Sequence, residues 1–218
     1  VTGRAEKPSY VVQTVDDFGT SFDGPEPWDR LPPLLVDHYL WLDNACRPRV
    51  EVRLCWSRKS LYVRFRVAEK RARGRYTKFQ DPVYKDSCVE FFVDMFPEKG
   101  RGYLNFEMNA NGTLLAQFGP DRDHRKPLWP EDVANMSIVS GEENWPEVGD
   151  NWHVEYSVPF ELFRKFYGED VRPGHRAAAN FYKCGDDTPM PHYGAWSPVE
   201  TPTPDFHRPE FFGELLFA

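Results

Sequence analysis

Long apolar runs are missing from this 218-residue chain. No stretch approaches the roughly 18 consecutive apolar residues of a membrane-spanning helix, so none is expected. Positive charge is also in deficit. The chain has 27 Lys and Arg against 34 Asp and Glu, a formal net charge of -7. Surfaces that bind nucleic acid show clustered positive charge. The short basic runs at residues 71–75 and 122–126 sit among turn residues and read as solvated loops, so nucleic acid is not an expected partner. Cysteine is scarce: Cys46, Cys55, Cys88 and Cys184 form no C-x-x-C pair and no other metal-ligand spacing. Four are too few to staple a chain of this length. Three lie in strand-like runs, where buried free thiols are expected. No phosphate loop, nucleophile motif or zinc motif occurs. No secretory leader is visible. A cleaved leader would place the chain in the periplasm or outside the cell, whereas natively reduced cysteines would place it in the cytoplasm. Both stay open.

Rings and prolines are plentiful: 17 Phe, 10 Tyr, 7 Trp and 20 Pro. The rings supply large buried areas, and the prolines favour loops over long helices. Strict alternation marks residues 50–56 and 61–67 as an antiparallel hairpin with one wet face. Further strands are expected at 88–94, 103–108, 113–118, 136–139, 152–158, 177–184, 193–196 and 211–217. Asn111-Gly112 predicts a type I′ hairpin turn. Proline in the first turn, an apolar face and Gly168 predict one short helix over 159–167. The expected fold is all-β, a jelly-roll or immunoglobulin-like sandwich with one short helix. It forms one domain over 1–218, with residues 1–45 as an irregular wrap anchored by Trp28. Lys183 falls on the same strand face as Phe181, so it either turns outward at an irregularity or pairs with a buried carboxylate.

Alternation also sorts polar side chains by face. Glu90 opposes Val89 and Phe91. Asn105, Glu107 and Asn109 oppose Leu104, Phe106 and Met108. Asn180 opposes Phe181. On neighbouring strands Glu90, Glu107, Asn109 and Asn180 would line one polar patch able to bond vicinal hydroxyls, or simply a solvated sheet face. The terminal segment 205–217 adds a loop carrying Phe206, His207 and Arg208 ahead of an apolar closing strand.

The segments Asp86-Ser-Cys-Val-Glu-Phe-Phe-Val-Asp94, Asn105-Phe-Glu-Met-Asn-Ala-Asn-Gly-Thr113, Asn180-Phe-Tyr-Lys-Cys-Gly-Asp186, Trp196-Ser-Pro and Phe212-Gly resemble family 9 carbohydrate-binding modules, over roughly residues 50–218. The resemblance implies a distorted jelly-roll that binds sugars, often attached to glycoside hydrolases. It implies a clamp of two tryptophans, one six residues before the motif Glu and one six before the terminal Phe-Gly. Those positions are Tyr84 and Phe206 here, aromatic but not Trp. Glu90 matches a hydroxyl-binding Glu, and Glu107 stands where the family has Arg. The expected function is therefore non-catalytic binding of a mono- or oligosaccharide or chain end by Tyr84, Glu90, Glu107, Asn109, Asn180 and Phe206, with His207 and Arg208 at the rim. No cofactor is expected beyond a structural calcium, for which Asp121 and Asp123 offer oxygens. Two alternatives remain. Glu90 with Glu107, Asp86 or Asp94 would make a glycosidase pair. Met108, His192 and His207 would make a haem or metal site.

Overall fold

The computed structural model describes residues 7–16, 26–145 and 149–218. Parts of the N-terminal stretch expected to wrap the domain, 1–6 and 17–25, lie outside the described residues. In chain order the elements are β1 (Ser9–Thr14), α1 (Glu26–Asp29), β2 (Leu34–Leu35), β3 (His38–Tyr39), β4 (Arg49–Trp56), β5 (Ser60–Ala68), β6 (Cys88–Asp94), β7 (Tyr103–Asn109), β8 (Leu114–Gly119) and β9 (Lys126–Pro127). There follow α2 (Pro130–Val133), β10 (Ser137–Trp145), β11 (Gly149–Pro159), α3 (Phe160–Tyr167), β12 (Arg176–Cys184), β13 (Tyr193–Ala195) and β14 (Gly213–Phe217).

Two layers form a β-sandwich. One runs β14-β12-β6-β7-β8-β9 and the other β4-β5-β11-β10. β1 belongs to both: Ser9 to Val12 lie parallel to β14, while Gln13 and Thr14 lie parallel to β4. A strand shared in this way ties the N-terminal segment to the closing C-terminal strand. Inward side chains of both layers make the main core, including Val52, Phe65, Phe91, Phe106, Phe181 and Leu215. Phe91 and Phe181 stack at 4.8 Å between ring centroids, and Trp196 meets Phe181 edge-on and closes the core.

Four expectations change. The helix 159–167 is present as α3, with Pro159 preceding it and Gly168 left-handed at its end, but two four-residue helical turns join it. The short strand at 136–139 continues to Trp145 as β10. The β4–β5 hairpin has no wet face. Cys55 and Tyr62 are buried beneath Trp28 and Leu31, and Arg64 pairs with Glu155 at 3.1 Å. At Asn111-Gly112 only the glycine has positive φ, +74°, so the turn is not type I′. Instead Asn109 Oδ1 accepts from the amides of Asn111 and Thr113 and organises a longer loop.

Lys183 takes the buried-pair alternative. It is fully buried, with Nζ 3.1 Å from Glu69 Oε2, and it donates to Cys184 O (2.8 Å) and His192 Nε2 (2.7 Å). His192 donates from Nδ1 to Met190 O. Burial and then the Lys183 charge lower its pKa to about 4, so the ring is neutral and free to accept. Glu69 also accepts from Ser87 Oγ and Trp152 Nε1. One cation and one carboxylate therefore balance within a satisfied network, the condition under which buried charge is tolerated.

Candidate functional site

The outer face of β12, β6 and β7 carries a second apolar layer: Cys88, Phe92, Tyr103, Tyr182 and Cys184, covered by Val199, Phe206 and Phe212. Within this cover opens a cavity of about 490 Å³, lined by Tyr84, Glu90, Glu107, Phe206 and His207 among others. Five of the eight side chains selected from the sequence thus line one cavity. They come from strands β6 and β7, a short turn at Val83–Lys85 and the loop before β14.

Glu90 and Glu107 face each other directly across the β6–β7 ladder. Both are almost completely buried. Burial, and then the like charge of Glu107, pushes the Glu90 pKa well above the usual carboxylate range. Burial raises Glu107 to about 7, against the opposing pull of Arg125 and of the hydrogen bond from Asn105 Nδ2 (3.0 Å). At neutral pH the pair therefore holds a proton between its members, giving the floor a carboxyl able to donate beside an oxygen able to accept.

The sequence reading missed the cationic wall. Arg122 and Arg125, read as part of a solvated loop, both line the cavity. Arg122 donates to Asp205 Oδ1 from Nε (3.1 Å) and Nη2 (2.8 Å). Arg125 Nη1 donates to His207 Nδ1 at 2.7 Å. His207 stacks on Phe92 at 4.7 Å, and burial followed by the two guanidinium charges lowers its pKa to about 2. Both guanidiniums come from the loop after β8. The available signal was opposite charge on two loops, Arg122 and Asp205, with no local hint that they meet.

Three selected residues serve the fold instead. Asn109 organises its own loop and donates to Asp86 Oδ2 and Tyr76 O. Asn180 Oδ1 accepts from the amides of Phe181 and Ser197, and its Nδ2 donates to Ser197 O at 2.8 Å. Arg208 pairs with Glu210 and lies over the Phe211 ring. None of the three lines the cavity. Asn180→Ala is expected to orphan the Ser197 groups and cost about 1–3 kcal/mol, read by denaturant unfolding. Intact unfolding in that variant would show the tether to be dispensable.

Of the alternative pairs, Asp86 is committed to the amides of Arg75 and Tyr76, and Asp94 to the amide of Phe96, leaving Glu107 as the carboxylate opposite Glu90. The haem set disperses. Met108 is in the inter-sheet core, His192 is in the Lys183 network and His207 is in the cavity. Asp121 Oδ1 accepts from the amides of Asp123 and His124 and so holds its own turn. No helix among the described residues is long and apolar enough to cross a membrane.

The family model described as carbohydrate-binding family 9 matches residues 28–217. An Arthroderma benhamiae protein described only as extracellular is 22% identical over 188 residues, covering 81% of this chain and 82% of its own length. A crystal structure from Bacteroides uniformis, of a protein provisionally named carbohydrate-binding, matches with TM-score 0.84 and 28% identity, covering 98% of this chain and 100% of the other. A family 9 module from Caldicellulosiruptor kristjanssonii in complex with glucose matches with TM-score 0.65 and 13% identity, covering 97% and 96% of the two chains. At that identity the likeness concerns the fold.

Proposed function

The chain belongs to carbohydrate-binding family 9, and from that premise we propose that it binds a sugar non-catalytically in the cavity floored by Glu90 and Glu107. The observation that carries this reading is the facing carboxyl pair beneath an aromatic and guanidinium rim. Its volume suits a mono- or oligosaccharide end rather than a flat polymer surface. Sugar hydroxyls need donors and acceptors side by side. The Glu90–Glu107 carboxyl pair, which holds a proton, and the arginines supply both. Tyr84, partly exposed, offers an apolar ring face for sugar C–H groups. Phe206 is mostly buried and stacks on Tyr182 at 4.1 Å, so one of its faces is already used. The glucose and cellotriose complexes of the C. kristjanssonii module make glucans the first ligands to try. The biological setting that fits is polysaccharide utilisation beside glycoside hydrolases.

Affinity is expected in the micromolar range or weaker, about -8 kcal/mol or less favourable. Tyr84→Ala is expected to weaken binding by about tenfold, about 1.4 kcal/mol, by calorimetry. Phe206→Ala is a poor probe, since removing a buried phenylalanine costs about 3–5 kcal/mol of folding. A broad glycan screen without a single ligand would overturn the proposal. Turnover of a chromogenic glycoside, lost in Glu90→Gln, would favour hydrolysis instead.

A further inference from the structure

Cys88 and Glu90 lie two residues apart on the outer face of β6, and Cys184 on β12 is the direct cross-strand partner of Cys88. One ligand atom from each, the two sulfurs and a carboxylate oxygen, lies within 4.8 Å of the other two. Cys184 Sγ is 3.1 Å from Glu90 Oε1. Tetrahedral zinc, with Zn–S about 2.3 Å and Zn–O about 2.0–2.2 Å, sets its ligand atoms about 3.6–3.8 Å apart. The trio therefore needs adjustments of about an ångström or less, on side chains whose backbones are held by paired strands. The two cysteines are 96 positions apart in the chain, so no sequence spacing announces the cluster.

We propose that Cys88, Glu90 and Cys184 form a binding site for a thiophilic divalent cation, zinc in the first instance, with its fourth coordination position open to the cavity. The ligand types argue for the class: two sulfurs with one carboxylate select zinc or cadmium over calcium or magnesium, which require oxygen sets. The open position follows from the lining, because Glu90 and Cys184 both border the cavity while Cys88 is sealed behind them. Three protein ligands with a free fourth position are the arrangement that lets zinc hold a water or an oxygen from a bound molecule. Two Zn–S bonds and one Zn–O bond form as the two thiol protons and the Glu90 carboxyl proton leave to solvent. The resulting two thiolates and carboxylate exceed the zinc charge by one, and the Arg122 and Arg125 guanidiniums stand on the same cavity to offset it.

The site does not depend on the sugar reading, and zinc uptake is measured without any sugar. Chain that has been fully reduced, chelator-treated and freed of chelator is titrated with zinc sulfate by calorimetry, then assayed for bound metal. One zinc per chain is expected, and cadmium in its place should give a thiolate charge-transfer band in the ultraviolet. Cys88→Ser and Cys184→Ser should each weaken zinc at least about 100-fold. Glu90→Gln, which keeps the side-chain shape, should weaken it at least about tenfold. Cys55→Ser, on the other layer, should leave it unchanged. Circular dichroism checks that each variant is folded. Absence of stoichiometric zinc in the reduced wild-type chain, or equal binding by a folded Cys184→Ser or Glu90→Gln chain, would overturn the proposal.

Discussion

Lys183→Ala is expected to lower the unfolding temperature by about 10 °C, the equivalent of about 3–5 kcal/mol. The ammonium is completely buried, and its removal strips Glu69 of the cation 3.1 Å away and His192 Nε2 of its donor. Burial opposes ionisation of Glu69, yet Lys183 and then His192 hold its pKa below the usual range. Without Lys183, Glu69 is either an unpaired buried anion or takes up a proton, and both cost free energy. The decisive comparison is Lys183→Met with Glu69→Gln in one chain. Removing both charges should recover most of the loss, since an apolar or neutral replacement of a whole buried pair is often nearly neutral. Equal instability of the single and double variants, by calorimetry, would show that the pairing is not what Lys183 contributes.

The second large effect depends on pH. In metal-free chain kept in chelator, Glu107→Gln should raise stability above pH 7 by about 3 kcal/mol and change it little below pH 4.5. The sign follows from the raised pKa. Folded Glu107 keeps its proton up to about pH 7, whereas the unfolded chain releases it near 4.5. The folded state therefore binds more protons across that window, and stability falls as pH rises through it. Glutamine cannot ionise, so this contribution to the slope disappears. It also removes the like charge that adds to the burial of Glu90. His192 and His207 act the other way. Their pKa values are lowered, to about 4 and about 2, so they stabilise the fold above about pH 6.5 and lose that contribution as pH falls. The readout is accordingly the difference between variant and wild type at each pH, which cancels the histidines. A difference that stays flat from pH 4 to 8 would mean that folded Glu107 releases its proton where the unfolded chain does, near pH 4.5.

Both effects come from polar groups on β6, β7 and β12, and they mark where local pattern was sufficient. Period-two alternation assigned Val89, Phe91, Phe106 and Phe181 to the core, and Glu90 and Glu107 to the opposite face. It did so because a strand's side chains alternate whatever the strand's neighbours are. The motif distances led to Tyr84 and Phe206, and both line the cavity. Alternation could not say what a polar side chain meets. Asn109 and Asn180 share the right face, yet their amides hold a loop and the Ser197 tether.

By itself the sequence located most of the strands and put Glu90 and Glu107 on the sides of β6 and β7 opposite the core, because both depend on short-range periodicity. Only the tertiary structure decided the partner of Lys183, 114 positions away at Glu69, the cationic wall of Arg122 and Arg125, and the meeting of Cys88 with Cys184. Those depend on strand register and loop closure, which join residues far apart in the chain and leave no periodic trace in it.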